Sequence, residues 1–263
     1  MSDTPTKKSL GQHWLKDAVS LEAMCTAAAV QPGDTVLEIG PGTGELTDKL
    51  LAHGAQVHAL EVDAQLLPQL KSRFIHAGDQ LTLIHGDIRT FDLTSLPAGY
   101  KLVANIPYYL TGYLLQLLSQ AAHPPTLAAL LVQKEVAQSV AAQPGSMSIL
   151  AVTTQYFWQP SLGAEVPKQL FVPPPKIDSQ ILILKRRPQP RFAVDERAFF
   201  RLVKAGFSAR RKKLRSSLAG GLRIEKTAVS AWLERAGLDP DARAQELSLD
   251  DWYALYQNGS IEL

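Results

Sequence analysis

Between residues 35 and 133 the chain alternates short, almost wholly apolar runs with longer stretches whose apolar residues recur every three or four positions. "TVLEIG", "QVHALEVD", "LTLIHGD" and "KLVANIPY" are runs of the first kind, and their length and composition predict strands buried on both faces. "AVSLEAMCTAAAV", "ELTDKLLAHG", "AQLLPQLKSRF" (despite its proline) and "TGYLLQLLSQAA" carry the helical period. "LAALLVQKEVAQSVAA" starts as a strand and continues as a helix. Strand and helix in strict alternation predict right-handed βαβ units, hence an α/β fold with a parallel sheet covered on both faces.

The rhythm then changes. "SILAVTTQYFWQ" and "SQILILKRR" read as two strands joined only by the loop "PSLGAEVPKQLFVPPPKID", which predicts an antiparallel pair at the sheet's edge. Beyond "KRRPQPRF" the chain turns helical and basic, in "DERAFFRLVKAGFSARRKKLRSSLAG", "EKTAVSAWLERAGL" and "SLDDWYALYQNG". The Pro- and Arg-rich "KRRPQPR" marks a domain boundary, giving residues 1–186 and a small, all-helical domain of residues 187–263.

Charge adds a partner to this picture. The net charge of +2 conceals a segment, residues 185–215, with twelve Lys or Arg against Asp195 and Glu196. So one-sided a stretch suggests an anionic polymer. Other signals exclude function classes. No run reaches the roughly 18 apolar residues of a membrane span, and "MSDTPTKKSLGQHW" lacks the apolar core of a signal peptide. One cysteine, Cys25, rules out an intramolecular disulfide, and no residues cluster at metal-ligand spacing. The expectation is a monomer in the cytoplasm, without membrane or metal.

Candidate chemistry gathers at the ends of the first four strands. In "EIGPGTGEL", Gly40, Gly42 and Gly44 alternate between strand and helix, permitting positive φ and close approach of a ligand. The spacing is G-x-G-x-G, not the G-x-G-x-x-G that cradles a dinucleotide. Glu61 ends the second strand, where such folds set a carboxylate on a ribose diol, and Asp87 ends the third, suited to accept from an adenine amine. A phosphate-binding Lys-Ser/Thr pair is missing from the glycine loop, so a nucleoside without phosphates fits best; S-adenosyl-L-methionine is the commonest such cofactor. The fourth strand then presents Asn105, Ile106, Pro107 and Tyr108 to the transferable methyl. The Asn105 side-chain oxygen and the Pro107 carbonyl can hold an aromatic amine so that its lone pair faces the methyl. Tyr108 can stack on the base.

These motifs together resemble the ribosomal small-subunit RNA adenine dimethyltransferases. "KKSLGQHWLKD", "VLEIGPGTGELT", "LEVD", "HGD", "NIPYYLTG", "QKEVA", "FVPPPKIDS" and "FSARRKKLRSSL" carry the resemblance across nearly the whole chain. It implies a Rossmann-like S-adenosylmethionine-dependent methyltransferase sheet and transfer of four methyls to two adjacent adenines of 16S rRNA in the assembling small ribosomal subunit. It also implies a cofactor contact set of His13, Leu15, Gly40, Glu61, Asp87 and Asn105. His13 and Leu15 then belong to a segment closing over the cofactor, although the residues alone read as a disordered basic tail. Phe171 matches the aromatic opposite Tyr108 on the flipped adenine; a phenylalanine ahead of three prolines is otherwise odd as core. Arg210, Arg211, Lys212, Lys213 and Arg215, wrapped round a helix, are the expected phosphate contacts. Trp14 replaces the family's usual phenylalanine, and "MSIL" after "QPGS" replaces a Tyr-Gly-Arg-Leu-like run, which removes one arginine. A large-subunit adenine methyltransferase of the antibiotic-resistance branch and a non-catalytic ribosome-assembly factor are the alternatives.

Overall fold

In the computed structural model, which describes residues 11–209 and 211–259, the apolar runs form a seven-stranded sheet. The elements up to residue 133 are β1 (Trp14–Leu15), α1 (Ala18–Ala27), β2 (Thr35–Ile39), α2 (Glu45–Ala52), β3 (Gln56–Glu61), α3 (Leu67–Arg73), β4 (Leu81–His85), β5 (Lys101–Asn105), α4 (Thr111–Gln120) and β6 (Leu127–Gln133). Then come α5 (Lys134–Val140), α6 (Ile149–Phe157), β7 (Trp158–Val166), β8 (Phe171–Val172) and β9 (Ser179–Arg186). Four helices close the chain: α7 (Glu196–Gly206), α8 (Leu214–Leu222), α9 (Lys226–Arg235) and α10 (Leu249–Gln257).

The sheet order is β4-β3-β2-β5-β6-β9-β7. Strands β2 to β6 run parallel, and β9 lies antiparallel to β6. The order reverses between β2 and β5, and ligands of doubly wound sheets bind beyond the strand carboxyl ends at such a switch point. Glu38 sits in the middle of this sheet, with Ala59 on one side and Val103 on the other. Apolar residues such as Val36, Leu37, Leu102, Val103 and Leu130 fill both faces, which explains why the strands read as continuous apolar runs. Pro68 falls in the first turn of α3, where a missing N–H costs nothing.

The chain divides into two compact units, with cuts at 137/138, 159/160 and 186/187. The stretch from 138 to 159 therefore belongs with the later helices. Here one expectation fails: "SILAVTTQYF" is a helix, and the strand lies after it, in what reads as loop. Ser148 caps α6 by accepting from the Ala151 N–H at 3.1 Å. Its β-branched and aromatic residues favour strand locally, but tertiary burial overrides them. Tyr156 packs against Phe199 and Phe200 with centroids 5.5 and 5.2 Å away. In the same unit the Trp232 indole N–H donates to the Leu255 carbonyl at 2.8 Å. Among the described residues no helix is long and apolar enough to cross a membrane.

Candidate active site

The glycine loop leaves β2 with Gly40, Gly42 and Gly44 all at positive φ (69°, 60° and 95°). Gly42 has a second reason to be glycine, because a Cβ there would stand 2.3 Å from Cζ3 of Trp14. That indole reaches the loop from β1, which pairs antiparallel with β8: Trp14 opposite Val172, Leu15 opposite Phe171. Residues 11–15 are thus ordered over the loop, not a free tail, and the tail's first ten residues lie outside the described ones. His13 is held there by a 2.7 Å hydrogen bond between its Nδ1 and the Pro173 carbonyl.

Glu61, buried at the end of β3, accepts from the Gly42 N–H at 3.1 Å and the Asp63 N–H at 2.8 Å. Burial raises its pKa, and these two backbone donors pull against that rise. Each carboxylate oxygen keeps a lone pair for a ligand hydroxyl. Asp87, after β4, accepts from the Arg89 backbone N–H at 2.9 Å and from the Arg89 guanidinium, which holds its pKa below the usual value.

At the end of β5, the Asn105 Nδ2 donates to the His13 carbonyl at 3.2 Å. A carbonyl can only accept, so the amide nitrogen faces it and Oδ1 is the atom left to receive a hydrogen bond. The Pro107 carbonyl accepts from the Leu110 N–H at 2.9 Å, in the turn that leads into α4, and retains a second lone pair. Tyr108 is half-buried; its hydroxyl shares a 2.8 Å hydrogen bond with Ser179 Oγ, and burial raises its pKa.

One pocket brings together His13, Leu15, Gly40, Glu61, Asp87, Asn105, Pro107, Tyr108 and Phe171. Gly42 sits beside it beneath Trp14. Phe171, odd as core from its Pro-rich setting, is 2% exposed and packs in the apolar core with Leu15 while also lining this pocket. β8 explains this, since strand pairing turns the ring inward.

Two lining residues were missed from the sequence. Glu38 is 1% exposed; its Oε2 accepts from the Thr47 hydroxyl at 2.7 Å, and its Oε1 has no hydrogen-bond partner. Burial, with Glu61, Glu45 and Asp48 nearby, pushes its pKa up to about 8 against the Thr47 hydrogen bond. The Trp14 indole N–H is likewise buried without a partner. An acid inside the apolar "VLEIG" was the available signal for Glu38. Among the described residues no group of three or more His, Cys, Asp or Glu could hold a metal ion.

The basic segment of the helical unit departs from expectation. It is not one helix: α7 ends at Gly206, and α8 starts only at Leu214. Gly206 allows close packing, as a Cβ there would meet Trp252 Cη2 at 2.3 Å. Leu214 is buried and its N–H donates to the Ala242 carbonyl at 2.7 Å, so the chain must turn before it. Arg211 and Lys212 are exposed on that turn. Lys213 and Arg215 both pair with Asp241, at 2.6 and 3.0 Å. Arg210 lies outside the described residues.

Residues 4–259 match the family model of ribosomal RNA adenine dimethylases. The chain belongs to the ribosomal RNA adenine dimethylase family. It is therefore a methyltransferase of that family. It is 41% identical over 258 residues to a ribosomal RNA small subunit methyltransferase A of Dehalococcoides mccartyi, covering 95% of this chain and 87% of the relative. A protein of the same name from Synechococcus sp. (strain JA-3-3Ab) is 44% identical over 259 residues, covering 95% and 91%. Among solved structures, a dimethyladenosine transferase from Plasmodium falciparum superposes with TM-score 0.79 at 26% identity, covering 92% and 96%. The 23S rRNA methyltransferase ErmE superposes with TM-score 0.77 at 27% identity, covering 93% and 98%.

Proposed function

We propose that this family member dimethylates the exocyclic amines of two adjacent adenines in the 3′-terminal hairpin loop of 16S rRNA, during small-subunit assembly, with S-adenosyl-L-methionine as methyl donor. The observation that carries the reading is Asn105: its amide is tethered so that an acceptor oxygen remains for an amine, in the pocket that also holds Glu61 and the glycine loop.

The residues present fit the donor. Glu38 Oε1 and Trp14 Nε1 are a buried acceptor and a buried donor without protein partners. Together they complement the ammonium and carboxylate of an amino-acid tail. Glu61 fits a ribose diol and Asp87 an adenine amine, with the Arg89 contact shared or displaced. When bound, S-adenosylmethionine supplies an electrophilic methyl on a cationic sulfur. The protein's part is to orient and to exclude water. Asn105 Oδ1 and the Pro107 carbonyl accept from the target amine, favouring a pyramidal nitrogen whose lone pair leaves the ring. Tyr108 stacks on the extruded base, with Phe171 assigned to its other face. The strand-paired His13–Leu15 segment shields the site. A strong general base is not needed, because the amine loses its proton after gaining the methyl. In the helical unit, Arg211 and Lys212 are the cations best presented to RNA phosphates.

The 40–44% identities favour the small-subunit substrate; the two structural superpositions, nearly equal, do not separate it from large-subunit methylation. Labelled methyl transfer to small subunits lacking adenine dimethylation, with 23S rRNA alongside, decides the matter. Dimethyladenosine in the small subunit alone upholds the reading. Label only in 23S rRNA overturns it in favour of the resistance branch, and no label with cofactor bound favours an assembly factor.

A further inference from the structure

Extruding a base into a pocket strips one stacking partner from the nucleotide beside it. A rim aromatic that offers a replacement face recovers part of that loss, because every base has a π-face to stack. Only two Tyr, Phe or Trp rings among the described residues are exposed, Tyr109 at 65% and Tyr113 at 39%. Both stand beside the catalytic loop. Tyr109 follows Tyr108 directly, in the turn Tyr108–Leu110, and lines the same pocket.

Tyr109 is also backed by protein. Gly11, at φ +59°, brings its backbone against the ring: a Cβ there would stand 3.5 Å from Cδ1 and Cε1. One side of the phenol thus rests on the segment that leads into β1, while most of its surface faces solvent. One helical turn on, the Tyr113 hydroxyl donates to the Arg89 carbonyl at 3.3 Å, and Arg89 in turn grips Asp87. The rim on this side is therefore held in place before any RNA arrives, and a ring already ordered loses little freedom on stacking.

We propose that Tyr109 is the stacking platform for the unpaired nucleotide adjacent to the target adenine. This rests on the reading under Proposed function and adds a subsite to it. The occupant is a base and not an apolar peptide, because the surface is one aromatic plane continuous with a nucleobase pocket and next to an arginine. The platform fits a substrate with two neighbouring adenines, since the second waits on Tyr109 while the first is extruded.

The test compares wild type with Tyr109→Ala and Tyr109→Phe. RNA KM and kcat are measured on small ribosomal subunits lacking adenine dimethylation, and cofactor affinity is measured separately as a check on folding. The expected result is an RNA KM raised roughly five- to hundredfold in Tyr109→Ala, with kcat and cofactor affinity close to wild type. Tyr109→Phe, which keeps the ring, stays near wild type. As a second reading, a synthetic 3′-terminal hairpin with 2-aminopurine beside the target adenine is quenched by wild type and Tyr109→Phe but not by Tyr109→Ala. A methylating wild type whose KM and quenching are unmoved in Tyr109→Ala overturns the platform alone. A wild type that binds cofactor but leaves the subunits unmethylated overturns the reading beneath it as well.

Discussion

Replacing Glu38 with glutamine probes the electrostatics of the candidate pocket. The wild-type carboxyl lies on β2, an interior strand of the sheet, with Thr47 on one oxygen and no hydrogen-bond partner on the other. The neighbouring charges that raise its pKa most are Glu61, Glu45 and Asp48, all acids. Its pKa moves from 4.5 to about 8, which at about 1.4 kcal/mol per pH unit is about 5 kcal/mol. The sign follows from proton counting. Between these two values the folded state holds a proton that the unfolded state has released, so the contribution is whole below the lower value and lost as pH rises to the upper one. Glutamine keeps the shape and can still accept from Thr47, but it does not titrate. Glu38→Gln should therefore match wild type within about 1 kcal/mol at pH 5 and exceed it by several, up to about 5, at pH 9. Urea titrations across this range, read by hydrogen exchange in β2 and β3, isolate the sheet unit from the helical one. The same charge logic predicts that binding a cationic cofactor at pH 7 releases close to one proton from wild type and none from the variant. Titration calorimetry in two buffers of different ionisation heat measures that number. Parallel stability curves and equal proton release in the two proteins would refute the reasoning.

Three further outcomes follow from the site. Asn105→Ala should lower the methylation rate at least about a hundredfold, the scale of one lost orienting hydrogen bond, while equilibrium dialysis still detects cofactor binding; full activity would remove Asn105 from the amine-holding role. Gly42→Ala places a methyl inside the Trp14 ring and a side chain at positive φ, so cofactor affinity should fall about tenfold or more. Adding Trp14→Ala should restore part of it, and a fluorescence titration showing no recovery would rule out the clash. Alanine at Arg211 and Lys212 should flatten the salt dependence of RNA binding by close to two counterions. Alanine at Lys213, already engaged by Asp241, should change it less, and a filter-binding series at several salt concentrations separates the two cases.

Much of the pocket was legible because its residues follow the end of each strand in turn. Gly40, Glu61, Asp87 and Asn105 lie just beyond four apolar runs, and a parallel sheet brings such positions to one edge whatever the details of packing. Local pattern was a poor guide wherever distant contacts set the outcome. "SILAVTTQYF" has strand-forming residues but folds as α6, because Tyr156 and Phe157 gain more from the aromatic core of the helical unit than strand propensity offers. The basic run "FSARRKKLRSSL" looks like one helix, yet the buried Leu214 and the close contact of Gly206 with Trp252 force a turn into it.

The sequence by itself determined the parallel α/β sheet and the placing of the glycine loop and the Asn-Ile-Pro-Tyr turn at strand ends, since each depends on spacing along a few consecutive residues. Only the tertiary structure decided that His13 tethers Asn105 from 92 positions away, that Trp14 roofs Gly42, and that Glu38 carries an unpartnered oxygen at the sheet's centre. The reason is physical: a side chain's burial, and the partners that satisfy or deny its polar atoms, are set by residues far along the chain, and no local pattern encodes them.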